Sequence, residues 1–204
     1  MNKSYEALFE AIRAKCQKEQ WFGPQLGSPT MSQHVPPDDP NHFGFVYPPA
    51  TEEQLHITEE RLGFALPPLL HALYANVANG GFGPGLGLHG AYGGYKGSYP
   101  DDDSSLPTQK HKGPTIRYDT YHKLATETIK PGQMPRMRIP WGTSLLHTLE
   151  LCDLGCCVKA CIDDHERMYL QAPSADDDYY ILRQLPYTFE EWLWRWVRDE
   201  DLFK

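Results

Sequence analysis

Residues 46 to 90, VYPPATEEQLHITEERLGFALPPLLHALYANVANGGFGPGLGLHG, constrain the fold more than any other stretch of the chain. They spell two helices joined by a short apolar corner and followed by a glycine-rich exit. Thr51 is placed to cap the first helix, with Gln54 at the capping-box position. Glu52 and Glu53 follow in the first turn, where the helix dipole favours negative charge. Leu55 and Leu62 face one way, and Gly63 supplies the left-handed residue that ends the helix. Phe64 and Leu66 anchor the corner. Pro67 and Pro68 suit the entry to a second helix, where a missing N–H costs little. Leu69, Leu70, Leu73, Tyr74 and Val77 then make a wide apolar stripe, until Asn79-Gly80-Gly81 stops it. This is a packing element without a catalytic constellation.

The remainder is read around that pair. Residues 4 to 20 predict a helix with Leu8, Phe9, Ile12 and Cys16 on one face and Ser4 as its cap. Residues 21 to 50 hold too much Pro and Gly for regular structure, and read as an extended arm docking Trp21, Phe22, Phe43 and Phe45 on the core. Residues 91 to 114 read as a long surface loop. Residues 115 to 126 read as a short helix with Ile116, Tyr121 and Leu124 inward. RMRIPWG then leads into strands: LLHTLEL, a turn at Asp153-Leu154-Gly155, CCVKACID, a turn near Asp164-His165-Glu166-Arg167, MYLQAP, and YYILRQL as one more. The last helix begins at Thr188, with Glu191 at the capping-box position and Tyr187 stapled against Trp192. The expected fold class is α+β, an antiparallel β-sheet meander packed with N-terminal helices and a C-terminal helix. The 204 residues suit one domain at 46–204, preceded by an N-terminal helix and arm at 1–45.

Composition narrows the function. A formal charge of −8 and a pI near 5.5 argue against nucleic acid and anionic membranes as partners, since both call for a basic face. The same charge permits a basic protein partner. MNKSYEALFEAIRAKC lacks the pattern of a signal peptide, and no run of about 18 apolar residues predicts a membrane-spanning helix. Five cysteines without an export signal read as reduced thiols. The expectation is a soluble cytoplasmic protein.

Three patterns tempt a chemical reading. Gly85-Leu86-Gly87-Leu88-His89-Gly90 fits G-x-G-x-x-G, but the dinucleotide fingerprint needs a strand before it and a helix after it. Here it follows a helix and enters coil, so the glycines are read as giving the backbone room to turn next to the core. Cys152, Cys156, Cys157 and Cys161 lack the paired C-x-x-C knuckles of structural zinc. In a strand after the turn, Cys157 and Cys161 would face one side and Cys156 the other, serving as small hydrophobes. A thiol nucleophile with His147 or His165 as base has no third orienting group. Asp101-Asp102-Asp103, Asp163-Asp164 and Asp176-Asp177-Asp178 lack calcium-loop spacing and read as solvated turns. No catalytic residue, cofactor or metal site is therefore expected.

The loop at 91–105, AYGGYKGSYPDDDSS, is more suggestive. Tyr92, Tyr95 and Tyr99, spaced by Gly and Ser, have the composition of binding loops, in which tyrosine gives contact area at low entropic cost. Asp101, Asp102 and Asp103 beside them would steer a basic partner. The alternative is a mobile surface loop with no partner. Trp194 is a second candidate: Phe189, Trp192, Leu193, Trp196 and Val197 fill the inner face of the last helix, leaving Trp194 to cap the core edge or to stand as an exposed anchor.

Three pieces in order carry a family resemblance: RLGFALPPLLHALYANVANGGFGPG with the following GLHG, the hairpin LELCDLGCCVKACID at 149–163, and YTFEEWLWRWV at 187–197. They resemble the SUKH superfamily, also called the Smi–Knr family. The hairpin is similar to that family's Cys-Asp-aromatic-Gly-Cys hairpin, with Leu154 where an aromatic is usual. The resemblance runs from about Val46 to Val197. It implies the same α+β arrangement and a non-catalytic role: bacterial members are mostly regarded as immunity proteins that bind and neutralise a cognate toxin, often a nuclease. A nuclease carries a basic substrate channel, which an acidic inhibitor would suit. The alternative implied by fungal members is a regulatory scaffold or signalling adaptor. A small-molecule or enzymatic role at the glycine-rich exit is a third reading.

Overall fold

The computed structural model describes residues 4–18, 47–85, 87–95, 115–116, 136–140, 144–145, 148–173 and 179–203. At 115–116, 136–140, 144–145 and 179 only the backbone is described. The fold is α+β. Among the described residues, helices α1 (Glu6–Lys18), α2 (Glu52–Leu62), α3 (Pro68–Asn76) and α4 (Phe189–Val197) accompany seven strands. These are β1 (Thr115–Ile116), β2 (Arg136–Pro140), β3 (Ser144–Leu145), β4 (Thr148–Asp153), β5 (Lys159–Asp163), β6 (Arg167–Pro173) and β7 (Tyr179–Thr188). Five of them form one antiparallel sheet in the order β2-β7-β6-β5-β4, while β1 and β3 pair in parallel. The meander expected from 145 onward is thus β4 to β7, with β2 added across β7.

Both helix-start signals form as their residues require. Thr51 Oγ1 accepts from Gln54 N while Gln54 Oε1 accepts from Thr51 N, and Thr188 and Glu191 repeat the arrangement at α4. Gly63 closes α2 at φ 77°. Pro67 and Pro68 open α3, and Leu69, Leu70, Leu73, Tyr74 and Val77 are buried. Tyr187 is held by its hydroxyl, which donates to Leu202 O.

Among the described residues, one core joins the four helices to β4–β7. Leu8, Phe9, Ile12 and Cys16 of α1 lie in it with Leu69, Leu70 and Leu73 of α3 and Phe189, Trp192 and Leu193 of α4. Lys15 ties α1 to the end of α4, pairing with Asp199 at 2.5 Å and lying over the Trp196 ring at 5.4 Å. The sheet offers one face to the same core through Leu149, Leu151, Ala160, Ile162, Met168, Leu170 and Leu185. A bulge between Glu150 and Cys152 turns both Leu151 and Cys152 into it. Cys161, Tyr169 and Leu182 are buried outside that core, at the alternate positions, where the half-buried Glu150–Lys159 pair at 2.7 Å also lies.

Several expectations need correcting. Tyr5 O accepts from Leu8 N and Phe9 N, so Tyr5 rather than Ser4 opens α1. Thr115 and Ile116 are extended and paired with Ser144 and Leu145, not helical, because a partner distant in sequence completes their hydrogen bonds. RMRIP is itself a strand, bonded to β7. Cys156 and Cys157 lie in the turn before β5 and are exposed, so neither fills a strand position. Asp163 is buried rather than solvated. The arm aromatics Trp21, Phe22, Phe43 and Phe45 lie outside the described residues, as do Tyr121 and Leu124.

Candidate functional site

The glycine-rich exit from α3 folds into a tight knot that ends in a tyrosine platform. Asn79 sits at its centre. Its Oδ1 accepts from Ala91 N at 2.6 Å, its Nδ2 donates to Tyr92 O at 3.3 Å, and its backbone carbonyl accepts from Tyr95 N at 3.0 Å. Gly90 N donates to Tyr95 O at 2.7 Å and closes the loop. The glycines are there because backbone passes backbone. A Cβ on Gly80 would come within 3.0 Å of Gly90 N, one on Gly90 would strike Asn79 O, and one on Gly85 would strike Asp153 O. The space a phosphate would need at these glycines is filled by the chain itself, which supports the packing reading of G-x-G-x-x-G.

Helix α2 holds the platform from below. Thr58 Oγ1 accepts from Tyr92 N at 2.8 Å, the Gln54 amide lies against Gly93, and the Arg61 guanidinium lies 4.5 Å from the centre of the Tyr92 ring. Gln54, Thr58 and Arg61 are spaced to share one face of the helix. Its solvent side carries Glu52, Glu53 and Glu60. Tyr95 packs its ring on Tyr47 at 5.9 Å, and burial pushes both hydroxyls above their ordinary pKa. Tyr92 and Tyr95 are therefore half-buried, fixed surfaces, not residues of a free loop.

Of the other residues singled out from sequence, Tyr99, Asp101, Asp102 and Asp103 lie outside the described residues. Trp194 is half-buried on α4, its ring 5.1 Å from the Arg198 guanidinium. Sequence reasoning missed Tyr47, Arg61 and Asn79. In the sequence Asn79 marks only a helix stop, whereas its side chain organises the loop after it. Phe203, 45% exposed near the end of the chain, was missed too; Arg183 donates to its carbonyl at 2.6 Å.

The histidine and thiols inside the fold are poor reagents. Burial, helped by the nearby Lys159 charge, pushes His89 down to about 4. Burial raises the Cys152 and Cys161 thiols well above their ordinary range. His165 is exposed beside Asp164 at 3.8 Å, and His147 lies outside the described residues. The buried Asp163 carboxylate accepts four bonds: from His165 N and Arg167 N on one oxygen, and from Arg167 Nε and Tyr169 OH on the other. That satisfies its charge and fixes the β5–β6 turn. Among the described residues no three of His, Cys, Asp and Glu are grouped as metal ligands, and no helix is long and apolar enough to cross a membrane. No family model, no curated protein and no solved structure matches the chain.

Proposed function

We propose that this chain is a non-catalytic, cytoplasmic protein-binding domain, an immunity protein of the Smi–Knr type that binds and neutralises a toxin with a basic surface. One structural observation supports this reading most: Tyr92 and Tyr95 are locked in place by Asn79, Thr58 and Arg61 beside an acidic helix. A surface ordered before binding loses less entropy when a partner arrives, and tyrosine supplies much contact area for few rotatable bonds. The charge of −8 would draw in a partner with a positive channel. The neutral, buried His89, Cys152 and Cys161 favour a structural over a catalytic use of those groups.

The test is co-expression with the product of the neighbouring gene, scored for rescued growth and for a complex that co-purifies. Rescue with a stable complex is the expected result. A neighbouring product that is harmless and does not bind would overturn the immunity reading in favour of a regulatory adaptor.

A further inference from the structure

The β4–β5 turn carries two adjacent thiols in an unusual setting. Val158 N donates to Gly155 O at 2.9 Å, which places Cys156 and Cys157 at the two central positions of a tight turn. Their φ angles are 51° and 62°. Turns of this hand are ordinarily filled by Asn-Gly, because a Cβ is strained there. Only two other non-glycine residues among those described share the left-handed region, and both side chains repay the strain. Glu166 accepts from Leu69 N at 2.9 Å, and Asp199 pairs with Lys15. Cys156 and Cys157 are instead exposed, and no hydrogen bond or ion pair of either thiol is found among the described residues.

We infer that Cys156 and Cys157 form a two-thiol capture site for a soft, thiophilic centre of the trivalent-arsenic class. Geometry favours an inserted atom over a direct bond between the sulfurs. Neighbouring Cα atoms are about 3.8 Å apart, below the roughly 4.4–6.8 Å that a disulfide spans. A bridging soft atom lengthens the link and relieves that mismatch. Thiolates are the side chains that such centres prefer. With a monosubstituted arsenoxide, each sulfur forms one bond to arsenic, the As=O bond is lost, and its oxygen leaves as water with the two thiol protons. Arsenic stays trivalent, so no oxidant is consumed. The other three cysteines are buried, which leaves the turn as the accessible pair.

The full, reduced chain would be incubated with phenylarsine oxide in excess glutathione and its intact mass recorded. One arsenical retained against glutathione, and released by dithiothreitol, is expected. The double variant Cys156→Asn with Cys157→Gly installs the residues this turn prefers; it should lose retention while its thermal midpoint stays level or rises. Cys157→Ser, which keeps the side-chain size, should also lose retention. A wild-type chain that retains no arsenical, or a variant that retains as much as wild type, overturns the inference.

Discussion

The glycine knot after α3 and the β4–β5 and β5–β6 turns solve the same problem in opposite ways. Both need backbone with positive φ. In the knot, Gly80, Gly81, Gly83, Gly85 and Gly87 supply it, and the missing side chains leave room for backbone to pass within van der Waals reach. In the hairpin turns Cys156 and Cys157, after Gly155, and Glu166 hold positive φ with side chains attached. The knot is thus specified by what is absent, and the β5–β6 turn by what the Glu166 side chain bonds.

Substitution should separate the two. The largest effect is expected for Gly90→Ala, whose Cβ would strike the Asn79 carbonyl and approach Tyr95 N within 3.0 Å. Neither atom is the free end of a flexible side chain, so the loss in urea unfolding should be about 3 kcal/mol or more. A loss near zero would mean that the knot is not closed in solution.

Acid should loosen the knot next. His89 is buried in it, and burial holds its pKa at about 4 against an ordinary 6.5. A group whose folded pKa is depressed in this way is neutral in the folded state, and unfolding takes up a proton. Its contribution is complete above about pH 6.5 and is lost as pH falls towards 4, by up to about 3 kcal/mol. Unfolding midpoints measured from pH 7 to pH 4 should therefore fall, and His89→Asn should flatten that slope.

Glu166 tests the other region. Glu166→Ala removes the carboxylate bonded to Leu69 N and leaves a strained Cβ, for a loss of about 2 kcal/mol. Glu166→Gly loses the same bond but relieves the backbone, so its loss should be smaller by about 1 kcal/mol. Equal losses would contradict the claim that a Cβ is strained at this φ. Gly63→Ala should be mildest. Nothing lies within 4 Å of its Cβ position, so only the φ of 77° is penalised, by about 1 kcal/mol.

What sequence revealed follows the reach of each interaction. Thr51 with Gln54 and Thr188 with Glu191 were legible because each partner lies within one helical turn. The α3 stripe was legible because a helix that buries one face must repeat its apolar residues. Pairing between distant segments was not: nothing in RMRIP announces that it bonds to β7, nor in Thr115–Ile116 that it lies along β3. Cys156 and Cys157 were misplaced because thiol spacing says nothing of backbone handedness. Asp163 resembled a solvated turn residue because its partners lie on the same short hairpin that the carboxylate itself organises. At the candidate site, Tyr92 and Tyr95 stood out by composition, whereas their fixation by Asn79 arises only when the chain returns on itself.

The most direct test of the proposed function is hydrogen exchange on the chain mixed with the product of the neighbouring gene, compared with the free chain. Added protection is expected at residues 91 to 103 and along the exposed side of α2, with the α1–α4 contact unchanged. Protection confined to other surfaces, with residues 91 to 95 exchanging as in the free chain, would contradict the tyrosine platform as the binding site.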